Sequence, residues 1–330
     1  MLEYLKKLFA CGSPMKRFSY TTLILLSLSS CDIPTNVPDD NLRLPDDEQV
    51  QTAPTERPQQ QPNDIRMPSQ LVSCKQFSGE VLPTTWESSD IDQGKIVGGV
   101  SVPPGAYPAV VRVEERCGGT LIADDLVLTA AHCVDHRSDG MATVQGREDR
   151  GFRSEFTRSG RAYCHANYVR SDGEVANDLA LIKLSSAVSS RRIVDVVTSG
   201  DPASLDGTGA TVESVGWGYV NDNKDRPRDQ MWTTIELKKS CRTKSGVEIL
   251  CASAGVEGPP PSLSGVCFGD SGGPQFARRD GALVQVGVSS FIAPPSGSSS
   301  KCENPQTLNG FVKLRNYSQW LSSARSYLEQ

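Results

Sequence analysis

Three residues of this chain have the types and surroundings for covalent acyl chemistry. They are His132 within Leu-Thr-Ala-Ala-His-Cys (Leu128 to Cys133), Asp178 within Asn-Asp-Leu-Ala-Leu-Ile (Asn177 to Ile182), and Ser271 within Gly-Asp-Ser-Gly-Gly-Pro (Gly269 to Pro274). A serine hydroxyl is a poor nucleophile at neutral pH. An imidazole that takes its proton activates it, and a carboxylate that fixes the imidazole tautomer completes the unit. Here Ser271 would attack a carbonyl carbon, His132 would serve as base and then acid, and Asp178 would hold the ring. Each residue also has a plainer reading. Ser271 could be a turn residue, His132 a ring beside a structural disulfide at Cys133, and Asp178 a strand-edge charge facing solvent. Gly269 and Gly272 weigh against the first, because small residues let a backbone approach a ligand closely. Asp178 precedes the apolar Leu179, Leu181 and Ile182, and an acid at the mouth of a buried strand needs a partner. The other histidines, His136 and His165, read as surface residues.

Composition bounds the setting. The 330 residues have room for one large or two medium domains. The net charge is -5 and no basic stripe occurs, which argues against a nucleic-acid partner. Aromatic residues are sparse, at 6%, while Gly and Pro are plentiful, a balance suited to a loop-rich β protein. Ten cysteines point to an oxidising compartment. No CxxC pair occurs and the three histidines do not cluster at ligand spacing, so disulfides are expected rather than a metal, and nothing points to a cofactor.

The N-terminal part has a different character. Met15-Lys16-Arg17 is a short basic start, followed by the apolar run Thr21 to Ser30 and then Cys31. The run falls short of the ~20 residues that span a bilayer and reads as a signal-peptide core. Leu28-Ser29-Ser30-Cys31 resembles the lipobox of bacterial lipoproteins, in which the cysteine is lipidated and becomes the mature N-terminus; a plain secretory signal is the alternative. Translation starting at Met15 would exclude residues 1–14 and Cys11 from the product. Residues 32–70 are rich in Pro, Gln, Asp and Asn and read as a disordered tether, since they cannot bury enough apolar surface to offset ordering. Residues 71–95 hold Cys74 and Trp86 and end at Lys95, just before Ile96.

Short β-type runs follow Ile96. Leu121 to Ala130, Asp178 to Leu184, Ala210 to Val215 and Ala282 to Phe291 are predicted strands. Trp320, Leu321, Ala324 and Leu328 recur at helical spacing within Asn316 to Glu329, which predicts a terminal amphipathic helix.

Residues 96–330 resemble the trypsin/chymotrypsin-like serine proteases. The resemblance rests on Ile-Val-Gly-Gly (Ile96 to Gly99), the motifs of His132 and Asp178, Gly-Trp-Gly (Gly216 to Gly218) and the motif of Ser271, all in the family's order. It implies an all-β fold of two antiparallel six-stranded β-barrels with a C-terminal helix, hydrolysing peptide bonds in the cleft between them. It implies an oxyanion hole from the backbone N–H groups of Gly269 and Ser271. It also implies that residues 71–95 are a pro-segment, that cleavage between Lys95 and Ile96 activates a zymogen, and that the new ammonium of Ile96 pairs with Asp270. Cys117–Cys133, Cys241–Cys251 and Cys267–Cys302 are the pairings it implies. Exclusion leaves Cys74 with Cys164, which would tie the pro-segment to the catalytic domain after cleavage.

The chain departs from trypsin at the specificity pocket. Gly265 stands where trypsin carries the aspartate that pairs with Arg or Lys of the substrate. Ser290, Phe291 and Ile292 form the expected far wall, with Ile292 narrowing the slot and Asn309 near the base. Glu303 is a remote candidate for a pocket charge. The expected partners are protein or peptide substrates, an activating trypsin-like protease and, through Cys31, a membrane of a bacterial cell envelope. The alternative is an inactive protease-like binding module. Its usual mark is a replaced triad residue, and here all three stand.

Overall fold

In the computed structural model, residues 67–77, 96–147, 154–171, 174–189, 192–238, 241–256 and 262–330 are described. Cys31, the tether up to residue 66 and the cut site at Lys95 lie outside them. The strands are short. The first are β1 (Leu71–Ser73), β2 (Val100–Ser101), β3 (Val110–Val113), β4 (Cys117–Ala123) and β5 (Leu126–Thr129). Next come β6 (Met141–Arg147), β7 (Ser154–His165), β8 (Val169–Ser171), β9 (Glu174–Ala176) and β10 (Ala180–Leu184). The second half holds β11 (Asp195–Val196), β12 (Thr211–Gly216), β13 (Met231–Glu236), β14 (Cys241–Arg242) and β15 (Glu248–Ser253). Last are β16 (Gly255–Val256), β17 (Ser262–Leu263), β18 (Pro274–Arg279), β19 (Ala282–Ala293), β20 (Leu308–Lys313) and the helix α1 (Ser318–Leu328).

Alternation builds these strands. In β13 the side chains of Met231, Thr233 and Ile235 are buried and those of Thr234 and Glu236 are exposed. Buried Val, Leu and Ile dominate β5 and β10, and β4 adds buried Leu121 and Ile122 beside them. The first sheet runs β7-β10-β5-β4-β3-β6, and β6 pairs back to β7, closing a six-stranded antiparallel barrel. The second sheet runs β15-β20-β19-β18-β12-β13 at its centre. A bond from Lys238 N to Cys251 O, 2.8 Å, links its two ends and completes the second barrel. Closure of both barrels leaves few free strand edges. In α1, Trp320, Leu321, Ala324 and Leu328 are buried, as their spacing predicts. Among the described residues no helix is long and apolar enough to cross a membrane.

Three expectations change. The run Leu121 to Ala130 is two strands, because Asp124 and Asp125 turn the chain between β4 and β5. The strand after Asp178 starts only at Ala180. Gln70, at the end of the expected tether, is part of the fold: its carbonyl accepts bonds from Ala166 N at 2.9 Å and Trp320 Nε1 at 2.8 Å. Among the described residues four disulfides form: Cys74–Cys164, Cys117–Cys133, Cys241–Cys251 and Cys267–Cys302.

Candidate active site

His132 sits on one 3-10 turn, Ala131–Cys133, immediately after β5. The buried β5 fixes the direction of approach, and the Cys117–Cys133 bond ties the turn to β4. Asp178 stands in the turn between β9 and β10 and is 1% exposed. Asn177 before it has φ 50°, a conformation that short polar residues tolerate. Its side chain is held on both sides, donating to Asn167 O and accepting from Tyr317 Oη, each at 2.8 Å.

The buried carboxylate is fully engaged. Asp178 Oδ2 is 2.7 Å from His132 Nδ1 and accepts from Ser290 Oγ at 2.5 Å, while Oδ1 accepts from His132 N at 2.9 Å. Burial alone would raise its pKa. The His132 ring and these three donors outweigh that and hold Asp178 below the usual carboxylate range. An ionised carboxylate only accepts, so Nδ1 carries the imidazole proton and Nε2 is left with a free lone pair.

Ser271 lies on the turn before β18. Its carbonyl accepts from Gly118 N at 2.7 Å, and Gly272 N donates to Ser289 O at 2.8 Å, so the turn is pinned to β4 and β19. Gly272 has φ 75°, and a Cβ there would strike Thr129 Oγ1 and Gly118 O. Glycine at this point lets the serine turn rest against the end of β5, beside the turn of His132. Gly269 has φ 99°, and a Cβ there would meet Gly218 Cα at 3.0 Å. No hydrogen bond joins Ser271 Oγ to His132 Nε2 among the described residues; such bonds commonly tighten only with substrate.

The backbone of this turn alternates. The N–H groups of Asp270, Gly272 and Gly273 donate to Cys267 O, Ser289 O and Asp270 O. Those of Gly269 and Ser271 donate to no partner among the described residues. Two unspent donors beside a serine hydroxyl suit a developing oxyanion.

Asp270 points away from Ser271 into the second barrel and is 2% exposed. It accepts from Gly218 N at 2.7 Å and Cys267 N at 3.0 Å, with no cation beside it among the described residues. Burial pushes its pKa up to about 7, against those two bonds. Its carboxylate occupies the space that a Cβ at Gly216 or Gly218 would need, which gives the Gly-Trp-Gly motif a steric reason. Ile96 is fully buried, and Val97 packs in one cluster with Tyr219 and Cys267, next to the donors of Asp270.

The expected pocket residues come together with one exception. A Cβ at Gly265 would lie 3.1 Å from Asn309 Oδ1. Asn309 is fully buried; its Oδ1 accepts from Val266 N at 2.8 Å and its Nδ2 donates to Thr307 O at 3.4 Å. Across the β19–β20 ladder Ile292 pairs with Asn309 and Phe291 with Gly310, over which the Phe291 ring lies. Ser290 is the exception, since its hydroxyl turns to Asp178. The contact joins residues 112 apart in the sequence, and no local signal reveals it. Glu303 is exposed and accepts from Asp222 N at 3.0 Å. His165 is buried, at 4% exposure, and not on the surface: its ring packs edge-on to Tyr317 and against Trp320. His136 is exposed. Ligand atoms of Cys117, His132 and Cys133 lie within 4.8 Å of one another, but both sulfurs are spent in a disulfide.

Comparison with protein families matches residues 96–321 to the family described as Trypsin. The chain belongs to the trypsin family. Neutrophil elastase of Mus musculus is 29% identical over 69% of this chain and 82% of its own length. Phenoloxidase-activating factor 3 of Holotrichia diomphalia is 27% identical over 64% of this chain and 68% of its own. Spermosin of Halocynthia roretzi is 28% identical over 63% of this chain and 59% of its own. This trypsin-family protein is a serine endopeptidase, a hydrolase of peptide bonds.

Proposed function

We propose that peptide hydrolysis runs on His132, Asp178 and Ser271, with Gly269 N and Ser271 N as the oxyanion hole. As Ser271 Oγ bonds to the substrate carbonyl carbon, its proton passes to His132 Nε2. The carbonyl oxygen takes the negative charge toward the two free N–H groups. His132 then gives the proton to the departing amine, and a water repeats the sequence on the acyl-enzyme. The observation that carries this reading is the pair of N–H groups without a partner among the described residues on the serine turn, set beside a His132 ring held by the buried, fully engaged Asp178 carboxylate. The test is labelling by a fluorophosphonate probe of protein cut after Lys95. Wild type should label and Ser271→Ala should not; equal labelling of both would overturn the assignment.

The precursor is read as a zymogen. Asp270 is a buried carboxylate with no cation beside it among the described residues, and the Ile96–Gly99 segment lies beside its donors. A cut after Lys95 would free the Ile96 ammonium to fill that vacancy in charge. The pocket offers no carboxylate at Gly265, so the activating enzyme is a second, trypsin-like protease. Cys31 is read as the lipidated mature N-terminus, tethering the enzyme to a bacterial envelope membrane by the tether that ends near residue 70. Detergent partitioning and intact mass of wild type against Cys31→Ser test this. A soluble wild-type product starting at another residue would count against it.

A further inference from the structure

Residues 70–77 precede the proposed cut site, yet they are built into the first barrel. β1 pairs Leu71 with His165, Val72 with Cys164 and Ser73 with Tyr163. It lies on the edge of β7 where the pairing with β6 has ended at Arg161. Leu71 and Cys74 are buried, and Cys74 is bonded to Cys164. This strap would therefore stay with the catalytic domain after the cut.

Its contacts lead to the active site by two routes. The Phe77 ring meets the Tyr168 ring edge-on, centroids 5.2 Å apart. Tyr168 is buried and donates its hydroxyl to Asp135 Oδ2 at 2.8 Å. Asp135 is buried, and its N–H donates to Ala131 O at 2.9 Å, closing the turn that carries His132. Arg170 Nη1, at 3.5 Å, faces the same carboxylate. On the second route His165, the partner of Leu71, donates its N–H to Leu179 O at 2.9 Å, one residue past Asp178. The His165 ring packs on Tyr317, whose hydroxyl holds Asn177, one residue before Asp178.

We propose that the 70–77 strap is a positioning element of the active site, acting from Phe77 through Tyr168 and Asp135 on the turn of His132. The proposal rests on the triad reading above. A strap that only adds stability would leave turnover per active site unchanged. A positioning strap changes kcat, because small displacements of a catalytic group cost rate steeply.

The experiment uses the two-chain enzyme cut after Lys95, its active sites titrated with the fluorophosphonate, and kcat and KM measured on one apolar peptide substrate. Phe77→Ala and Tyr168→Phe should each lower kcat about 10-fold with KM within about 2-fold of wild type. The double variant should lose little more than either single, since both act along one contact chain. Phe77→Leu, which refills the space, should keep at least about half of wild-type kcat. Unchanged kcat per titrated site in both single variants overturns the proposal. So does a double loss of about 100-fold, because multiplying losses would place Phe77 and Tyr168 on separate paths. Should Phe77→Ala fail to fold, Phe77→Val, which shortens the side chain and breaks the ring contact while keeping an apolar group, takes its place with the same expected loss and the same overturning result. Wild type that neither labels nor turns over would instead defeat the triad reading, so the two failures are distinct.

Discussion

Asp178 receives three hydrogen bonds, and they differ in what their loss does. The bond to His132 Nδ1 sets the tautomer. Asp178→Asn presents an amide where an anion stood, so the ring is free to take the wrong tautomer, and kcat should fall by about 10⁴ with the fold intact. Ser290 Oγ only adds a neutral donor to the same oxygen. A bond to a charged group contributes about 1.5–3 kcal/mol, so Ser290→Ala should cost between about 10-fold and 100-fold, well short of the Asp178 loss. Steady-state kinetics on titrated enzyme check the order; a larger loss for Ser290→Ala would contradict it. The three motif residues were legible because each sits in its own short signature. Ser290 was read only as pocket wall, since its partner lies on another barrel. The burial of His165 leaves no local mark, because its neighbours Leu71 and Trp320 lie far from it in the sequence.

Among the elements, the period-two strands were the readable part. β13 alternates along its length and β12 over Thr211 to Ser214, and Ala210 to Val215 marks β12 within a residue of its observed start. Leu121 to Ala130 was merged because strands buried on both faces lose alternation, and only Asp124 and Asp125 mark the turn. The β19–β20 ladder carries a prediction of its own. In the proposed pocket Asn309 bonds to two backbone groups and Gly265 brings no charge, so a substrate cation would find no ion partner at the base. Burying a guanidinium there would cost several kcal/mol. Ile292, opposite Asn309, would in the same proposed pocket favour small or medium apolar side chains. In a panel of peptides varied only at the residue before the scissile bond, apolar residues should give kcat/KM at least about 100-fold above Arg or Lys. Highest rates with Arg or Lys would reverse this reading and make self-activation the simpler account.

The whole molecule should register its own activation in the way its stability depends on pH. In the uncut chain Asp270 is buried with no cation beside it among the described residues, and its pKa is raised from 3.8 to about 7. Between those values the folded protein holds a proton that the unfolded chain has released. The stability this group contributes is therefore full below about pH 4 and is lost as pH rises through about 7. The ceiling on the change is about 4 kcal/mol. Cutting after Lys95 reverses the sign. An ammonium at Ile96 would lower the Asp270 pKa, so the same group would stabilise the fold above the unfolded value and lose that contribution only as pH falls. The gain in melting temperature on cutting should thus be small at pH 4.5 and large at pH 7.5. Other carboxylates, Asp178 and Asp201 among them, have lowered values and impose their own acid dependence. Subtracting the uncut curve from the cut curve removes that shared part. Uncut Asp270→Asn, whose amide needs no cation, should be flatter across this window than uncut wild type. Calorimetry on the three samples decides it: a cut-minus-uncut difference that stays constant from pH 4.5 to 7.5 would mean that the new terminus and Asp270 do not meet.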